Sequence, residues 1–364
     1  MRDTGVMLEC VSPWITIKAG QTAMVEVEMG KTLSVRLYGR VVAIVAAVVA
    51  VAVPVAGQSS AAGSKASSSS TVSRTADGHP DLQGVWLFAT LTPLQRPDNL
   101  AGRTHLTDEE IATIEERAGN RKETFGLFPD EARYSFDKRS SLVVDPPDGK
   151  VPPMTPAGQK RQDVLSARRK AVEHPEDLPI YERCIVGFNS GPPIIPGGYN
   201  QHIQVVQTRD YVMLHVEMVH EARIIPLDGR PHLPNQLRQW NGSSRARWEG
   251  DTLVVTSTNF KDTTGTLMLD GNLARTGIGW SPDENLKLTE RFTRLDKDKM
   301  IYEFTIDDPT VWAKPWTVAV PLTRKETNLY EYACHEGNHD FGFILAGQRK
   351  LDKEAAAKTG SEPR

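Results

Sequence analysis

Residues 211–232 read YVMLHVEMVHEARIIPLDGRPH, and their pattern indicates the fold class of the chain. Apolar residues recur at every second position, which is the period of a β-strand whose successive side chains point to opposite faces. We therefore predict one long strand over residues 211–225. Its even-numbered face is apolar apart from His220, so this imidazole is expected to face the core, whereas the odd-numbered face is mixed and charged.

The same period, with turn residues between segments, predicts eight further strands. They span residues 81–88, 203–207, 246–249, 252–260, 286–294, 300–307, 316–322 and 329–334. Short strands separated by tight turns are typical of antiparallel sheets that close on themselves. The chain is therefore predicted to be mainly β, an antiparallel meander closing into a barrel, with a β-sandwich as the alternative.

Helices are predicted on either side of this β-rich region. Thr107 and Glu110 form a capping box, in which each side chain binds a free amide at the helix start, and the helix runs to about residue 117. Thr155 followed by Pro156 begins a second helix to about residue 174. A C-terminal helix is predicted over residues 343–358.

The N-terminal segment predicts export. Residues 41–55 are apolar and follow Lys31, Arg36 and Arg40, but fifteen residues are fewer than the about twenty that cross a bilayer. With small residues at 55–57, this favours a signal peptide over residues 1–57, including an upstream extension; an uncleaved anchor is the alternative. We expect a periplasmic or extracellular protein with no membrane insertion after cleavage.

The composition of the remaining residues predicts a linker, one folded domain and a short tail. Residues 58–76 are rich in serine and alanine and predict a flexible linker. One β-rich domain follows at 77–358, with helices over 107–175 and a tail at 359–364. The net charge of −3 gives no argument for nucleic acid as a partner.

Two of the three cysteines remain after the predicted cleavage, Cys184 and Cys334. An even pair in an exported chain predicts a disulfide. The alternative is that Cys334, which precedes His335, is a reactive thiol or a metal ligand.

A second ionisable group is predicted to face inward. Glu290 shares its face of the strand over residues 286–294 with leucine and phenylalanine, and a buried charge requires a partner. A His220–Glu290 pair would suit proton transfer, with Glu217 and Arg223 in supporting catalytic roles. The alternative is a structural ion pair between Glu290 and Arg223, Arg291 or Arg294.

Three segments supply candidate ligand-binding residues. Arg230 and His232 follow the 211–225 strand, and Trp248 lies at a hairpin corner. Residues 335–339 read HEGNH and formally match the H-E-x-x-H zinc pattern, but Gly337 disfavours the regular helix that this pattern requires. We predict no metal or other cofactor here; His335 and Glu336 are candidate substrate-binding residues, and a divalent metal on His335 and His339 is the less favoured alternative.

Six segments carry a resemblance to a known family. They are DPPDGKVPPMTPAGQKR (145–161), MVHEARIIPLDGRPH (218–232), RWEGDTLVVTSTNF (247–260), ERFTR (290–294), DDPTVWAKPWTV (307–318) and EYACHEGNH (331–339). Over roughly residues 79–355 the chain resembles a widespread family of secreted bacterial proteins. The resemblance implies export and assigns no activity. Residues 84–86 (GVW) are also similar to the G-x-W opening strand of lipocalin-type barrels, which implies a lipocalin-like barrel.

These observations give three functional hypotheses. The first is an exported lyase, isomerase or hydrolase that acts by general acid/base chemistry on a small apolar or cyclic substrate in a barrel cavity. The second is a non-catalytic binding protein for a hydrophobic or glycan ligand. The third is a structural envelope protein. All but the third expect a small molecule as the partner, and the oligomeric state stays open.

Overall fold

The structure is a computed structural model that describes residues 72–125, 137–170, 172–261, 267–268, 279–280 and 284–359. The described residues all belong to one compact unit of the chain, Ser67–Arg364. The predicted signal peptide and most of the predicted linker lie outside the described residues. Arg74, near the end of that linker, forms a β-bridge with Pro80 and an ion pair with Asp251.

The described residues contain three α-helices and twelve β-strands. The helices are α1 (Asp108–Phe125), α2 (Pro156–Lys170) and α3 (Asp340–Thr359). The strands are β1 (Gly84–Leu87), β2 (Val143–Asp145), β3 (His202–Gln207), β4 (Tyr211–Val216), β5 (Ala222–Pro226), β6 (Ser243–Glu249), β7 (Thr252–Thr258), β8 (Leu267–Met268), β9 (Gly279–Trp280), β10 (Lys287–Arg294), β11 (Lys299–Asp307) and β12 (Trp316–Lys325).

Ten of these strands form one antiparallel sheet, which confirms the predicted mainly β class. The strand order is β5-β4-β3-β1-β12-β11-β10-β7-β6, and β2 also pairs with β12. Strands β3 to β5 and β10 to β12 are meanders. Gly250, with φ of 58°, allows the tight turn between β6 and β7, because glycine adopts this backbone conformation without a steric clash.

The sheet is open between β5 and β6, its two edge strands. These strands approach each other, yet no described ladder of backbone hydrogen bonds joins them. The meander is therefore present, but the closed barrel that the sequence predicted is not formed by the described strands.

Two strand predictions were wrong. Residues 211–225 form two strands, β4 and β5, joined by a turn over residues 217–221 in which Val219 and His220 both have positive φ, 51° and 53°. Residues 329–334 are not a strand, because they form no sheet ladder and end in a turn at residues 334–337.

The three predicted helices are present with shifted bounds. The capping box at the start of α1 is formed, since the Thr107 amide donates to Glu110 and the Glu110 amide donates to the Thr107 hydroxyl. At the start of α2 the Gly158 amide donates to the Thr155 hydroxyl. None of the helices in the described part of the chain combines the length and apolarity needed to cross a bilayer.

Alternating burial along the central strands builds the core. Every second residue of β10 and β11 is buried, as the two-residue period requires. Each large apolar side chain buried this way contributes roughly 1.5–3 kcal/mol. The largest fully buried side chains are Trp86, Phe88, Phe260, Phe292, Tyr302, Phe304 and Trp316.

A disulfide joins Cys184 and Cys334, with 5.7 Å between their Cα atoms, which confirms the predicted pairing. It ties the segment after β12 to the loop before β3. Because the bridge closes a loop across 150 residues of sequence separation, it restricts the unfolded chain strongly.

We expect reduction of this disulfide, or the double substitution Cys184→Ser/Cys334→Ser, to lower the free energy of unfolding by about 2–5 kcal/mol. Urea unfolding followed by tryptophan fluorescence, with and without reductant, measures the loss. Reductant added to the double variant is the control and should change nothing. An identical midpoint for oxidised and reduced wild type would contradict the expectation.

Candidate functional site

A buried ion pair lies inside the curved sheet. Arg223 of β5 donates from both terminal nitrogens to the two carboxylate oxygens of Glu290 on β10, each at 2.8 Å. Tyr302 of β11 donates its hydroxyl to Glu290 at 2.8 Å, and the Ile194 amide donates to that hydroxyl. Arg223 is 7% exposed and Glu290 0%. The alternative of a structural Arg223–Glu290 pair is therefore the one that is formed.

The surroundings of this pair shift the pKa values of Arg223 and Tyr302. Burial opposes the charged form of Arg223, but the Glu290 carboxylate outweighs it, so the pKa of Arg223 is raised. Burial and the neighbouring carboxylate raise the pKa of Tyr302 well above its ordinary value. Arg223 therefore stays charged and Tyr302 keeps its proton, so neither of these two side chains exchanges a proton near neutral pH.

His220 does not join this group, which corrects the predicted His220–Glu290 pair. It is exposed in the turn between β4 and β5, where Nδ1 accepts a hydrogen bond from the Tyr332 amide at 3.0 Å. The turn reverses the strand, so the alternation of residues 211–216 does not continue through residues 217–225. As a result Arg223 faces inward, while Ile224 is 68% exposed.

Residues 329–339, which we call the strap, lie across this turn. The Tyr330 amide donates to the Glu217 carboxylate at 3.0 Å, and the Tyr332 amide donates to His220. Cys334 holds the far part of the strap through the disulfide. Two amides of the strap thus bind side chains of the turn instead of a neighbouring strand.

Glu217 is buried at the start of the turn and serves as an anchor for the strap. Burial alone would raise its pKa, but hydrogen bonds from His202 at 3.0 Å and from the Tyr330 amide outweigh burial and lower it. A carboxylate that accepts such bonds is held ionised. Its predicted catalytic role has no support in this geometry, because its carboxylate binds the fold itself.

His215 of β4 lies beside His220, with ring centroids 5.3 Å apart. Burial, and then the neighbouring His220, lower the pKa of His215. Two imidazoles this close disfavour double protonation, because like charges repel.

A cleft of about 500 Å³ lies at the gap between β5 and β6, and we call it the β5–β6 cleft. Its walls come from β5, from β6 and the residues before it, and from Ile185, next to the disulfide. The lining residues are Ile185, Glu221, Ala222, Arg223, Ile224, Leu233, Gln239, Trp240, Asn241, Gly242, Ser243, Ser244 and Arg245.

Glu221 lines this cleft, and the pKa of its carboxyl is shifted. It is half-buried, and the Asn241 side-chain amide donates to it at 2.6 Å across the gap between the edge strands. Burial raises the pKa of Glu221, partly offset by Arg223 and by the bond from Asn241. A carboxyl with a raised pKa in a cleft is a candidate for ligand binding or proton transfer.

A larger cleft, of about 580 Å³, lies beside Arg238, Glu284 and Lys287. Arg238 and Glu284 form an ion pair with each other there. Glu284 follows residues 281–283, which lie outside the described ranges, so the β5–β6 cleft is the better defined of the two.

The other predicted binding residues serve the fold. Arg230 is exposed and pairs with Asp228 of its own turn. His232 donates from Nδ1 to the Ser243 carbonyl at 2.7 Å, which covers the edge of β6. Trp248 stacks on His79 with ring centroids 4.6 Å apart, so one of its faces is covered. None of the three lines the β5–β6 cleft.

The predicted HEGNH segment is a turn and not a helix. His335, Glu336 and His339 are all exposed, and residues 334–337 form the turn, with Gly337 at φ of 66°. Within the described ranges, no group of three or more His, Cys, Asp or Glu side chains could hold a metal ion. The zinc pattern therefore lacks the helix on which its geometry depends.

The cleft residues Glu221 and Asn241 were missed as site residues, because they join the site only where β5 and β6 approach each other. One signal was available: Gln239, Trp240, Asn241 and Gly242 form a polar stretch with a tryptophan directly before a strand. Such a stretch also suits an ordinary loop.

Comparisons with known proteins add little. No model of a known protein family matches the chain, and no curated protein matches it either. One matching solved structure is a crystal structure of a mutant of the fluorescent protein UnaG, with 16% identity over 35% of this chain and 72% of that one. Its TM-score of 0.20 is too low to carry any argument about fold or function.

We expect Glu290→Gln to lower the free energy of unfolding by about 3–5 kcal/mol, because it leaves Arg223 charged and buried without a counter-ion. The double variant Arg223→Met/Glu290→Leu should recover much of this loss, since it removes both charges. Asp251→Asn, which breaks the exposed ion pair with Arg74, is the control and should leave stability nearly unchanged. Urea unfolding of wild type and the three variants measures the order of their stabilities. A double variant no more stable than Glu290→Gln would contradict it.

Glu217 should make stability fall in acid. Its folded-state pKa lies below the unfolded value, so its contribution is complete above the ordinary glutamate pKa, about 4.3, and is lost as pH falls through the folded value. The difference in free energy of unfolding between wild type and Glu217→Gln should therefore shrink as pH falls from about 6 to about 3. Unfolding curves at stepped pH measure this difference. A constant difference across this pH range would show that the Glu217 carboxylate is not the origin of the loss of stability in acid.

Proposed function

We propose that this chain is an exported protein that binds a small polar ligand in the β5–β6 cleft. The main support for this proposal is the cleft itself. It has a volume of about 500 Å³ and lies at the open edge of the sheet. Most small-molecule sites have volumes of roughly 300–1,000 Å³. The core of the sheet is packed with aromatic side chains. The ligand is therefore placed at the sheet edge and not in an interior barrel cavity.

The lining favours a neutral ligand that carries hydroxyl groups. The two arginines of the cleft, Arg223 and Arg245, are matched by two carboxylates: Glu290 directly beneath and Glu221 in the wall. The cleft thus has no excess charge with which to select an ion. Its side chains supply both donors and acceptors, which hydroxyl groups can satisfy in turn because each hydroxyl donates and accepts.

Apolar surface in the same wall suits a ring. Trp240, Leu233, Ile185 and Ile224 line the cleft beside the polar groups. The Lys261 ammonium lies over one face of the Trp240 ring, 4.3 Å from its centroid, so this proposal uses the opposite face. An indole face next to a few placed polar side chains holds a ring, and hydrogen bonds fix the orientation of that ring. A neutral saccharide combines these features, so the glycan form of the second hypothesis is the one that we propose.

Export is supported by two observations. The N-terminal sequence has the pattern of a signal peptide, and the Cys184–Cys334 disulfide is consistent with an oxidising compartment, where such bonds persist.

A second candidate function rests on Glu221. Since burial raises the pKa of this carboxyl, it could take up and return a proton while a ligand is bound. In this candidate Glu221 replaces His220 as the acid/base group. Glu221→Gln distinguishes the two functions: loss of turnover with binding retained supports catalysis, whereas a change in binding alone supports the binding protein.

The binding proposal is tested by titrating ¹⁵N-labelled protein with glucose, galactose, mannose and N-acetylglucosamine, and with glucuronate and glucosamine as charged counterparts. We expect at least one neutral sugar to shift the Trp240 indole and Asn241 side-chain amide signals, and to bind more tightly than the charged forms. The indole of Trp86, which is buried and bound to the Leu82 carbonyl, is the internal control and should not shift.

The variant Asn241→Ala should weaken binding of that sugar about threefold to tenfold, the value of one hydrogen bond. Arg230→Ala, on a loop outside the cleft, is the matched control and should bind normally. Signals that shift only outside the cleft, or an Asn241→Ala variant that binds like wild type, would overturn the proposal.

A further inference from the structure

The bond between the strap and His220 requires a neutral imidazole. The Tyr332 amide donates to Nδ1 of His220, so that nitrogen must carry a lone pair and the proton of the neutral ring lies on Nε2. An imidazolium carries protons on both nitrogens and cannot accept this bond. Imidazole side chains ordinarily change charge near pH 6.5, within the range in which proteins remain folded.

The charges around His220 determine the effect of protonation. On β4, His215 lies 5.3 Å away and would repel a second positive ring. Glu217 would attract it, but its carboxylate already binds His202 and the Tyr330 amide. The neighbouring titratable and charged groups are His202 on β3, His215 on β4, Glu217 and Glu221 in the turn, Arg223 on β5, and Tyr330, Glu331 and Tyr332 on the strap, with Tyr199 bonded to Tyr332. Tyr211 on β4 and His335, Glu336 and His339 on the strap lie further along the same elements.

The turn that this bond holds is strained. Val219 and His220 both have left-handed backbone conformations, and a β-branched residue rarely adopts one. Such conformations are unfavourable for residues other than glycine and persist where the surroundings enforce them. The strap is one such constraint, since it binds the turn at Glu217 and at His220.

The turn also carries a wall of the β5–β6 cleft. Glu221 directly follows His220, and its carboxylate accepts from Asn241 on the opposite side of the gap. A relaxation at residues 219 and 220 therefore moves Glu221 relative to Asn241.

We propose that the strap and the turn form a pH-sensitive latch on the β5–β6 cleft: protonation of His220 releases the Tyr332 amide, and the relaxed turn withdraws Glu221 from the ligand. The Glu217–Tyr330 bond and the disulfide keep the strap attached on both sides of Tyr332, so the movement is local and reversible. The effect on ligand affinity rests on the proposed function, whereas the latch itself does not.

The latch is tested without ligand by NMR of ¹⁵N-labelled wild type between pH 8 and pH 5. The Tyr332 amide shift and the His220 ring signals should titrate together. Exchange protection of the Tyr332 amide, corrected for intrinsic exchange, should fall about threefold to tenfold, as expected for one hydrogen bond. The Tyr330 amide should keep its protection, because the pKa of its partner Glu217 is lowered.

Two variants test whether His220 causes the pH dependence at the Tyr332 amide. His220→Asn removes the titrating group and keeps a side chain that tolerates positive φ, so the pH dependence at Tyr332 should disappear. His339→Asn, an exposed histidine further along the strap, is the matched control and should behave as wild type. Should His220→Asn not fold, the joint titration of His220 and Tyr332 in wild type still decides.

A Tyr332 amide whose shift and protection do not change between pH 8 and pH 5, or change equally in His220→Asn, would overturn the latch. With a bound neutral sugar as the probe, affinity at pH 5 should fall in wild type and be retained in His220→Asn. If no sugar binds, the proposed function is wrong, but the latch is not affected. The test of the latch uses the Tyr332 amide signal of the protein without ligand.

Discussion

The Arg223–Glu290 ion pair is the contact on which the shape of the sheet depends. In the strand order, β5 is the first strand and β10 the seventh, so their side chains can meet only if the sheet curls back over its own core. Both charges are almost fully excluded from water, and neither would be tolerated there alone. Two parallel hydrogen bonds also fix the relative orientation of the strands, since guanidinium and carboxylate are both planar.

This pair explains why the site is at an edge of the sheet. It draws β5 toward the β10 side of the curl, next to β6, without a backbone ladder between the two edge strands. The edge groups are instead met by side chains: Asn241 bonds to Glu221, and His232 covers the Ser243 carbonyl. An unpaired sheet edge that is covered in this way avoids pairing with other chains and leaves room for a small polar cleft.

The sequence predicted well what depends on local periodicity. Strict alternation along β10 and β11 identified Glu290 as an inward carboxyl, and the cysteine count identified the disulfide. The turn at residues 217–221 was missed because Val219 and His220 are not residues that normally mark a left-handed turn. Missing it placed His220 inward and Arg223 outward, since a shift by one residue moves every side chain of a strand to the other face. The strap and the cleft depend on contacts between distant segments, which periodicity cannot show.

The position of His220 in the turn also shows that ionisable groups of two kinds, buried and accessible to solvent, lie close together. Arg223 and Glu290 are buried and joined by two hydrogen bonds, so they shape the sheet. Two to three residues before Arg223, Glu221 is half-buried and His220 is exposed. The turn therefore joins a buried electrostatic anchor to ionisable groups near the surface. Because the strained residues Val219 and His220 lie at the strap end of this segment, a change in one hydrogen bond of the strap acts on the cleft wall while the buried pair keeps the strands in place.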